Sequence, residues 1–428
     1  MNESAILPAP LVGATWAERA CERLVLSVLA GMNRGHLRFI APGGQVHHFG
    51  DSTAAVQAEI RVRDAHFFRR CILFGDIGFA ESYIAGEWET DSIERVIAWA
   101  IVNSEMPPGE LRERKTSIAL NGLQFLNRAG HWLRPNSITK SRDNIAEHYD
   151  LGNDFYRLWL DPSMTYSSAL FTDTTQSLES AQEAKYERLC RVLQLGPQDR
   201  VLEIGCGWGG FSQYAASRYG CRITAITISQ AQYDYTQARI AHAGLADRVS
   251  VQLIDYRNVQ GAFDKIVSIE MMEALGDRYL RTYFQQIHRL LKPAGLVALQ
   301  YITVPDCRHA RLRREVDFIQ KHIFPGSLLL SVARVNEALA ATSDLFLHDL
   351  KDLGASYATT LHRWFEAFNA HEAEVRAQGF DTPFIRKWNY YLQYCEAAFA
   401  TRNISVVQAV YTRPNNFSLH RDFTPPAS

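Results

Sequence analysis

The chain has 428 residues, of which 47% are hydrophobic and 21% are charged. That composition is typical of a globular protein and excludes a mainly disordered or fibrous chain. Lys and Arg total 45 against 46 Asp and Glu, and the missing basic excess argues against nucleic-acid binding. The longest apolar run near the start, over 24–32, is far shorter than the roughly 20 residues that cross a membrane.

The cysteines predict the cellular compartment. All seven are scattered along the chain, and no two form a Cys-x-x-Cys pair. This pattern indicates a reduced cytosolic compartment and no metal site. The start of the chain also lacks the basic lead-in and cleavage site of a signal peptide. We therefore expect a cytoplasmic protein that meets a membrane only from its inner surface.

The first part of the chain predicts a small α+β domain. An amphipathic pattern predicts a helix over 16–32, and alternating apolar residues predict short strands over 37–40, 46–49 and 58–63. A basic stretch follows, interrupted by Pro135, Asn136 and Ser137. Such residues mark loops, and we place a linker at 126–140. The predicted domains are then 1–125 and 141–428.

The sequence of the second domain predicts an α/β fold. Apolar, largely β-branched segments predict strands over 201–204, 222–226, 249–254, 265–269 and 296–301. Helical patterns over 210–219, 230–243 and 277–292 separate most of them. Alternating strands and helices predict a parallel sheet covered on both faces. Ligands of such sheets bind beyond the carboxyl ends of the strands.

A glycine-rich loop follows the first of these strands. Gly205, Gly207 and Gly210 satisfy the Gly-x-Gly-x-x-Gly pattern of dinucleotide-binding folds. That pattern also requires an acidic residue at the end of the second strand, where this chain reads Ile226 to Ser229 without a carboxylate. Glu203, just before the glycines, suits a nucleoside cofactor without a pyrophosphate. The loop therefore favours S-adenosylmethionine over NAD.

Several ordered motifs resemble the cyclopropane-fatty-acyl-phospholipid synthase family, which includes the mycolic-acid cyclopropane synthases. They are HYDLGNDFY (148–156), MTYSSALF (164–171), LEIGCGWGG (202–210), TISQAQ (227–232), HIFPG (322–326) and YYLQYCEAAF (390–399). GFAESYIAGEWE (78–89) resembles the family's lipid-binding amino-terminal domain. The resemblance implies a class I, Rossmann-like methyltransferase domain that uses S-adenosylmethionine.

The resemblance also implies which residues bind this cofactor. They match the family's Tyr-Ser pair, its glycine loop, a Thr and Gln that replace the missing ribose carboxylate, and an aromatic residue beside the adenine. In this sequence the residues are Tyr166, Ser167, Gly205, Gly207, Gly209, Thr227, Gln232 and Tyr256. Packing in a protein core is the alternative for the two tyrosines, and helix capping is the alternative for Thr227 and Gln232.

The chemistry of the family requires a base. A methyl group passes from a sulfonium to a cis alkene, and the resulting carbocation must lose a proton in an apolar, water-excluding channel. In the family the base resembles a bound bicarbonate, held by Cys, Glu, His and Tyr side chains and one backbone amide. This chain keeps the Glu as Glu273 and the amide at Ile302.

Three of the five bicarbonate ligands have changed. The Cys, His and Tyr positions hold Ser168, Gln300 and Phe365. Where the family usually has a small residue, this chain has Glu270, three residues before Glu273. Neighbouring carboxylates raise each other's proton affinity. We therefore hypothesise that Glu270 replaces bicarbonate as the base, oriented by Gln300 and Ser168, with helix capping or pairing to an Arg as the alternative.

Two further residues are candidates. Tyr149 is expected to lie against the methyl donor and to stabilise the cation, with a packing role as the alternative. Cys395 matches a Cys that the family has often been assigned as catalytic, but its aromatic neighbours favour buried packing.

The segment 308–330 is basic and then apolar, which suits a surface that meets anionic headgroups and acyl chains. A solvated charged helix is the alternative reading. The resemblance, which places the acyl pocket nearby, favours lipid.

The leading interpretation is methylation of the double bond of an unsaturated acyl chain of a phospholipid, forming a cyclopropane. A methyl- or methylene-branched product is the first alternative. A small-molecule N- or C-methyltransferase and a non-catalytic lipid- or cofactor-binding protein are further alternatives. The resemblance also implies a homodimer.

Overall fold

The computed structural model of the chain describes residues 16–104, 151–173, 175–313 and 315–422. For residues 420–422 it describes the backbone only. The described residues fall into two compact units. The amino-terminal unit takes the residues up to 104 together with 316–318 and 379–401, and the larger unit takes the rest. The linker predicted at 126–140 and the candidate Tyr149 lie outside the described residues.

The elements are numbered here in chain order. The strands are β1 (His36–Ile40), β2 (Val46–Gly50), β3 (Gln57–Val62), β4 (Trp88–Glu89), β5 (Arg200–Ile204), β6 (Arg222–Thr227), β7 (Val249–Leu253), β8 (Phe263–Ile269), β9 (Leu291–Thr303), β10 (Phe346–Asp352) and β11 (Ser405–Thr412). The helices are α1 (Trp16–Leu29), α2 (His66–Ile84), α3 (Ile93–Ser104), α4 (Asn153–Arg157), α5 (Leu178–Val192), α6 (Gly210–Tyr219), α7 (Gln230–His242), α8 (Leu280–Leu290), α9 (Asp306–Leu312), α10 (Phe318–His322), α11 (Val332–Ala340), α12 (Gly354–Ala370), α13 (Glu372–Ala377) and α14 (Thr382–Ala400).

The amino-terminal unit contains a four-stranded sheet in the order β2-β1-β3-β4. Strand β1 pairs antiparallel with β2 and parallel with β3. Helix α14 belongs to this unit, although the sequence prediction assigned its residues to the second domain. The Arg386 guanidinium on α14 donates to the carbonyl oxygens of Tyr83 and Trp88, and so joins α14 to the segment around β4.

The larger unit is built on a seven-stranded sheet in the order β10-β11-β9-β8-β5-β6-β7. Strands β5 to β9 pair in parallel, as predicted, while β11 runs antiparallel to both of its neighbours. The sequence analysis did not predict β10 and β11. Their direction is a property of the assembled sheet, because hydrophobic alternation reveals a strand but not which way it runs.

The core of the larger unit explains why these segments form a covered sheet. Strand β5 is buried from Val201 to Ile204, as expected for a parallel strand with helices on both faces. Helix α8 buries one face, including Tyr283, Phe284 and Ile287, against this sheet. The apolar strands thus converge on one sheet edge, where their carboxyl ends carry the loops of the candidate site.

Side-chain caps fix where two helices beside that edge begin. The Ser177 hydroxyl accepts from the backbone of Ser180 at the start of α5, and the Ser229 hydroxyl accepts from Gln232 at the start of α7. Such caps satisfy backbone N–H groups that the helix itself leaves unpaired. In the described part of the chain, no helix is both long and apolar enough to cross a membrane.

Candidate active site

The glycine loop turns sharply between β5 and α6. Gly205, Gly207 and Gly209 all have positive φ values, of 83°, 52° and 82°. The backbone N–H groups of Gly205 and Cys206 donate to the Ile226 carbonyl oxygen at the end of β6, both at 3.0 Å. A Cβ atom added to Gly207 would meet no heavy atom within 4 Å. The loop therefore has open space at Gly207, whereas the side chains of Met271 and Thr236 lie close to Gly205 and Gly209.

The end of β6 carries the predicted Thr and Gln. The Thr227 hydroxyl donates to Gln232 Oε1 at 2.9 Å, and both side chains are buried. Helix α7 begins just before Gln232, so the Ser229 cap sets the position of this side chain. The pair stands beside the glycine loop because β5 and β6 are neighbouring parallel strands.

Glu203 and Tyr256, two further predicted cofactor residues, are both buried but have different neighbours. The Glu203 carboxylate accepts from the Ser212 hydroxyl, and burial raises its pKa to about 8. Tyr256 follows β7 and packs edge-on against the Tyr283 ring, with ring centroids 5.3 Å apart. Its buried hydroxyl finds no hydrogen-bond partner among the described residues.

The Tyr166 ring lies within a cluster of aromatic side chains. The rings of Tyr156, Trp159 and Trp364 have centroids at 5.5, 5.4 and 5.2 Å from that of Tyr166. We refer to these four residues as the aromatic cluster. Aromatic faces attract cations and exclude water, so the cluster provides a surface that tolerates positive charge.

Lys185 on α5 is a site residue that the sequence analysis missed. Its side chain is fully buried, and the Nζ atom donates to the Ser167 hydroxyl at 2.8 Å. Burial lowers the lysine pKa to about 7, against the opposing influence of Glu270, Asp161 and Glu203. Lys185 lies outside every motif, so the motifs did not point to it. A lysine on the apolar face of an amphipathic helix would have been a signal, because lysines are rarely buried without a partner.

The Glu270 carboxylate is held by three donors. Oε1 accepts from the Ser168 backbone N–H at 2.8 Å and from Gln300 Nε2 at 2.7 Å. Oε2 accepts from the Tyr357 hydroxyl at 2.8 Å. Ser168 thus contributes its main chain, while its hydroxyl donates to the Ala169 carbonyl oxygen. The structure brings together the three residues on which the base hypothesis rests, and adds Tyr357.

The backbone of Glu270 is strained. Its φ is 49°, in the left-handed region that glycine adopts freely and other residues rarely enter. Strain of this kind costs about 1–3 kcal/mol and is found mostly at functional sites. The Glu270 carboxylate binds Ser168, Gln300 and Tyr357, and is thus not engaged in capping a helix.

The second carboxylate, Glu273, has fewer partners. Oε1 accepts from the Ile302 backbone N–H at 2.5 Å. Oε2 is buried and has no partner among the described residues. Burial, followed by the charge of Glu270, raises the Glu273 pKa to about 8. Glu273 therefore holds its proton at neutral pH.

The two carboxyl groups are consequently not equivalent. Burial raises the pKa of Glu270 as well, but Gln300, Ser168, Tyr357 and Lys185 all oppose that rise. Hydrogen bonds to a carboxylate favour its charged form. Glu270 has three such donors and Glu273 has one, so the hydrogen bonds favour the charged form of Glu270 more than that of Glu273.

These contacts indicate whether the residues of the site could bind bicarbonate. Of the family's ligands, Ile302 donates to Glu273, and the positions of the lost Cys and His donate to Glu270. Tyr357, about two helical turns before Phe365 on α12, also donates to Glu270. Since these donors already bind carboxylates, the residues do not fit an additional anion such as bicarbonate.

Cys395 is not among the donors that bind Glu270 and Glu273. It lies on α14 in the amino-terminal unit, whereas the Glu270 and Glu273 carboxylates belong to the larger unit. Burial strongly raises the pKa of its thiol. A half-buried thiol that keeps its proton is a poor nucleophile.

The segment 308–330 differs from the expected lipid-facing helix. Arg308 donates to the Asn403 carbonyl oxygen, and Arg313 pairs with Asp277 at 2.9 Å. Phe318 and Ile323 are buried. Arg308 and Arg313 thus have partners within the protein, whereas Arg311 is exposed. Among the described residues there is also no group of acidic, His and Cys side chains that could hold a metal ion.

Comparisons with known proteins show the family of this chain. The model of the mycolic acid cyclopropane synthetase family matches residues 136–409. Tuberculostearic acid methyltransferase of Mycobacterium tuberculosis is 37% identical over 384 residues, which cover 84% of this chain and 86% of the relative. Cyclopropane-fatty-acyl-phospholipid synthase of Escherichia coli is 37% identical over 362 residues, covering 83% and 88%.

Solved structures give the same result. The cyclopropane synthase MmaA2 of Mycobacterium tuberculosis aligns with a TM-score of 0.60 and 30% identity, over 64% of this chain and 98% of that one. The mycolic acid cyclopropane synthase CmaA1, complexed with S-adenosylhomocysteine and CTAB, aligns with the same TM-score, identity and coverage. The open glycine loop fits such a nucleoside. The chain belongs to the mycolic acid cyclopropane synthetase family and is an S-adenosylmethionine-dependent methyltransferase.

Proposed function

We propose that the enzyme methylates the double bond of an unsaturated acyl chain of a phospholipid and that the Glu270 carboxylate accepts the proton that must leave. The observation that carries this proposal is the carboxylate itself, held by three hydrogen bonds on a strained backbone. Bound S-adenosylmethionine supplies an electrophilic methyl group. The names of the two relatives, a fatty-acyl-phospholipid synthase and a methyltransferase, support a lipid substrate.

The proton balance explains why the base matters. The π electrons of the alkene form the new carbon–carbon bond while the methyl–sulfur bond of the sulfonium breaks and its electron pair stays on sulfur, and a carbocation is left on the neighbouring carbon of the chain. Glu270 then takes one proton, and the electrons of the broken C–H bond fill the cationic centre. The aromatic cluster keeps water away, so that hydration does not compete with proton loss.

The position of the lost proton determines the product. Loss from the new methyl group closes a cyclopropane, which is the product that we propose first. Loss from an adjacent chain carbon gives a methyl-branched alkene instead. A hydride shift that moves the cation to the methyl-bearing carbon, followed by proton loss from the methyl group, gives a methylene branch. The second product is a candidate because Glu270 is fixed by Ser168, Gln300 and Tyr357, where the family is expected to use a bound anion.

We propose further that the lipid is met at the cytoplasmic surface of a membrane. Helix α1 has no buried residue, and Trp16, Leu24 and Val28 are exposed on it. An amphipathic helix with exposed aromatic and aliphatic side chains suits the interface of a bilayer. We propose a homodimer from the family resemblance alone.

The test is mass spectrometry of acyl methyl esters after incubation with S-adenosylmethionine and liposomes of monounsaturated phospholipid. A product heavier by one CH2 that resists mild hydrogenation is the cyclopropane. A product of that mass that takes up hydrogen is unsaturated and branched. Absence of any new mass, while a small-molecule amine is methylated, would overturn the lipid proposal in favour of a small-molecule methyltransferase.

A further inference from the structure

A line of hydrogen-bonded side chains leads from Glu270 to the protein surface. Gln300 Nε2 donates to Glu270 at 2.7 Å and to the Ser168 carbonyl oxygen at 3.2 Å. Gln408 Nε2 on β11 donates to Gln300 Oε1 at 2.9 Å. Arg188 Nη1 on α5 donates to Gln408 Oε1 at 2.9 Å, and its other terminal nitrogen pairs with Asp349.

The chemistry of these groups fixes which side chain donates and which accepts at each hydrogen bond of the line. A guanidinium carries only donors, so Gln408 must turn its oxygen toward Arg188. The Gln408 amide nitrogen then faces Gln300, which must accept with its own oxygen. Gln300 is left with its NH2 group pointing at Glu270. A fixed cation at one end thus determines the orientation of two amides.

The orientation matters because both amides are buried. The exposed fraction is 1% for Gln300 and 0% for Gln408, so no water competes for their hydrogen bonds. A Gln300 amide turned the other way would place its oxygen against the Glu270 carboxylate. That contact would repel the negative charge and favour the protonated, inactive acid.

We propose that Arg188 and Gln408 are positioning residues that fix the Gln300 amide and thereby keep Glu270 ionised as the proton acceptor. This inference rests on the proposed role of Glu270. It assigns a function in catalysis to residues on α5 and β11, neither of which touches the reacting carbon atoms.

Other groups also act on Glu270 and are kept constant in the test. Lys185 faces it from α5, Glu273 lies on its own loop, and Tyr357 reaches it from α12. The predicted effect therefore has to come from position 408 through Gln300, and not from a changed neighbour of the carboxylate.

The decisive variant is Gln408→Glu. A carboxylate at this position accepts from Arg188 and also requires a donor from Gln300, so the Gln300 amide reverses. The acidic limb of the kcat–pH profile should then move to higher pH by about one unit, because Glu270 loses a donor. Affinity for S-adenosylhomocysteine and the melting temperature report whether the fold and the cofactor site remain intact.

A double variant separates reversal of the amide from simple repulsion by a new charge. In a Gln300→Leu protein the limb is already displaced, and adding Gln408→Glu should move it no further. An equal additional displacement would mean that the carboxylate acts through space, which overturns the proposal. Arg188→Lys, which keeps a donor, should retain the native profile, whereas Arg188→Met should displace it.

The outcomes also distinguish this inference from the proposed function. If Glu270→Gln keeps normal turnover, Glu270 is not the base and both fail. If Glu270→Gln is inactive and Gln408→Glu lowers kcat without moving the acidic limb, the positioning role alone is wrong. Should Gln408→Glu fail to fold, the comparison of Arg188→Lys with Arg188→Met decides, because Arg188 is partly exposed.

Discussion

Glu270 and Gln300 hold each other through both main chain and side chain. The Glu270 backbone N–H donates to the Gln300 carbonyl oxygen at 2.7 Å, and Gln300 Nε2 donates to Glu270 Oε1 at 2.7 Å. The first bond joins the end of β8 to the neighbouring strand β9 and fixes the unusual φ of Glu270. The second bond aims the carboxylate. The strained backbone and the oriented side chain are therefore parts of one arrangement.

The first prediction concerns Glu270 itself. Glu270→Gln keeps the size of the side chain but removes its basicity, and we expect kcat to fall by about 10²–10⁴-fold, the usual contribution of a positioned base. Binding of S-adenosylhomocysteine, measured by calorimetry, should be unchanged. Glu366→Gln on the exposed side of α12 is the matched control and should keep full activity. Near-normal turnover of Glu270→Gln would remove the base assignment.

The second prediction concerns the proton on Glu273. Its pKa of about 8 lies above the ordinary value of 4.5, so the folded protein holds a proton that the unfolded chain releases. The stabilisation is complete below pH 4.5 and is lost as the pH rises through about 8. Glu273→Gln should therefore flatten the decline of the melting temperature across this interval. Exposed Glu374→Gln is the control, and an unchanged decline in Glu273→Gln would contradict the assignment.

Tyr357 supplies the third prediction. Tyr357→Phe removes one hydroxyl donor from Glu270, and hydrogen bonds to charged groups contribute about 1.5–3 kcal/mol. We expect kcat to fall roughly ten- to a hundredfold, with the acidic limb of its pH profile displaced upward. Tyr233→Phe on α7, whose hydroxyl accepts from Gln237, serves as the control. A profile identical to that of the native enzyme would show that Tyr357 does not act on the base.

Lys185 leads to a fourth prediction. Lys185→Met preserves the buried stem but removes the donor to Ser167, a residue that the family resemblance assigns to the cofactor. We expect a higher Kd for S-adenosylhomocysteine, measured by calorimetry, and a higher pKa of Glu270 because a nearby positive charge is lost. Lys351→Met at an exposed position should change neither value. Unaltered affinity in Lys185→Met would mean that Ser167 needs no such donor.

The fifth prediction tests Cys395. Because its thiol is half-buried and its pKa is raised, Cys395→Ala should retain kcat within about twofold, as expected for a residue with a packing role. A small loss of thermal stability is expected from the missing sulfur. Loss of turnover in a variant that still melts cooperatively would restore the catalytic reading of this cysteine.

Much of the fold was predictable because its signals are local. Apolar strands alternating with helices gave the parallel strands β5 to β9, and the glycines gave the loop with positive φ values. Each signal depends on a few neighbouring residues, so no knowledge of the assembled chain was needed. The apolar, β-branched segment of β11 carried a local signal that the sequence analysis did not use, whereas its antiparallel direction has no local signature.

The sequence by itself determined the family, the cofactor and the residues Glu270, Ser168 and Gln300 as possible partners. Only the tertiary structure decided which atoms meet, that Ser168 acts through its backbone, and that Tyr357, Lys185, Gln408 and Arg188 take part. These contacts join residues that are far apart in the chain. Their hydrogen bonds and charges depend on distances in space, which residue order does not encode directly.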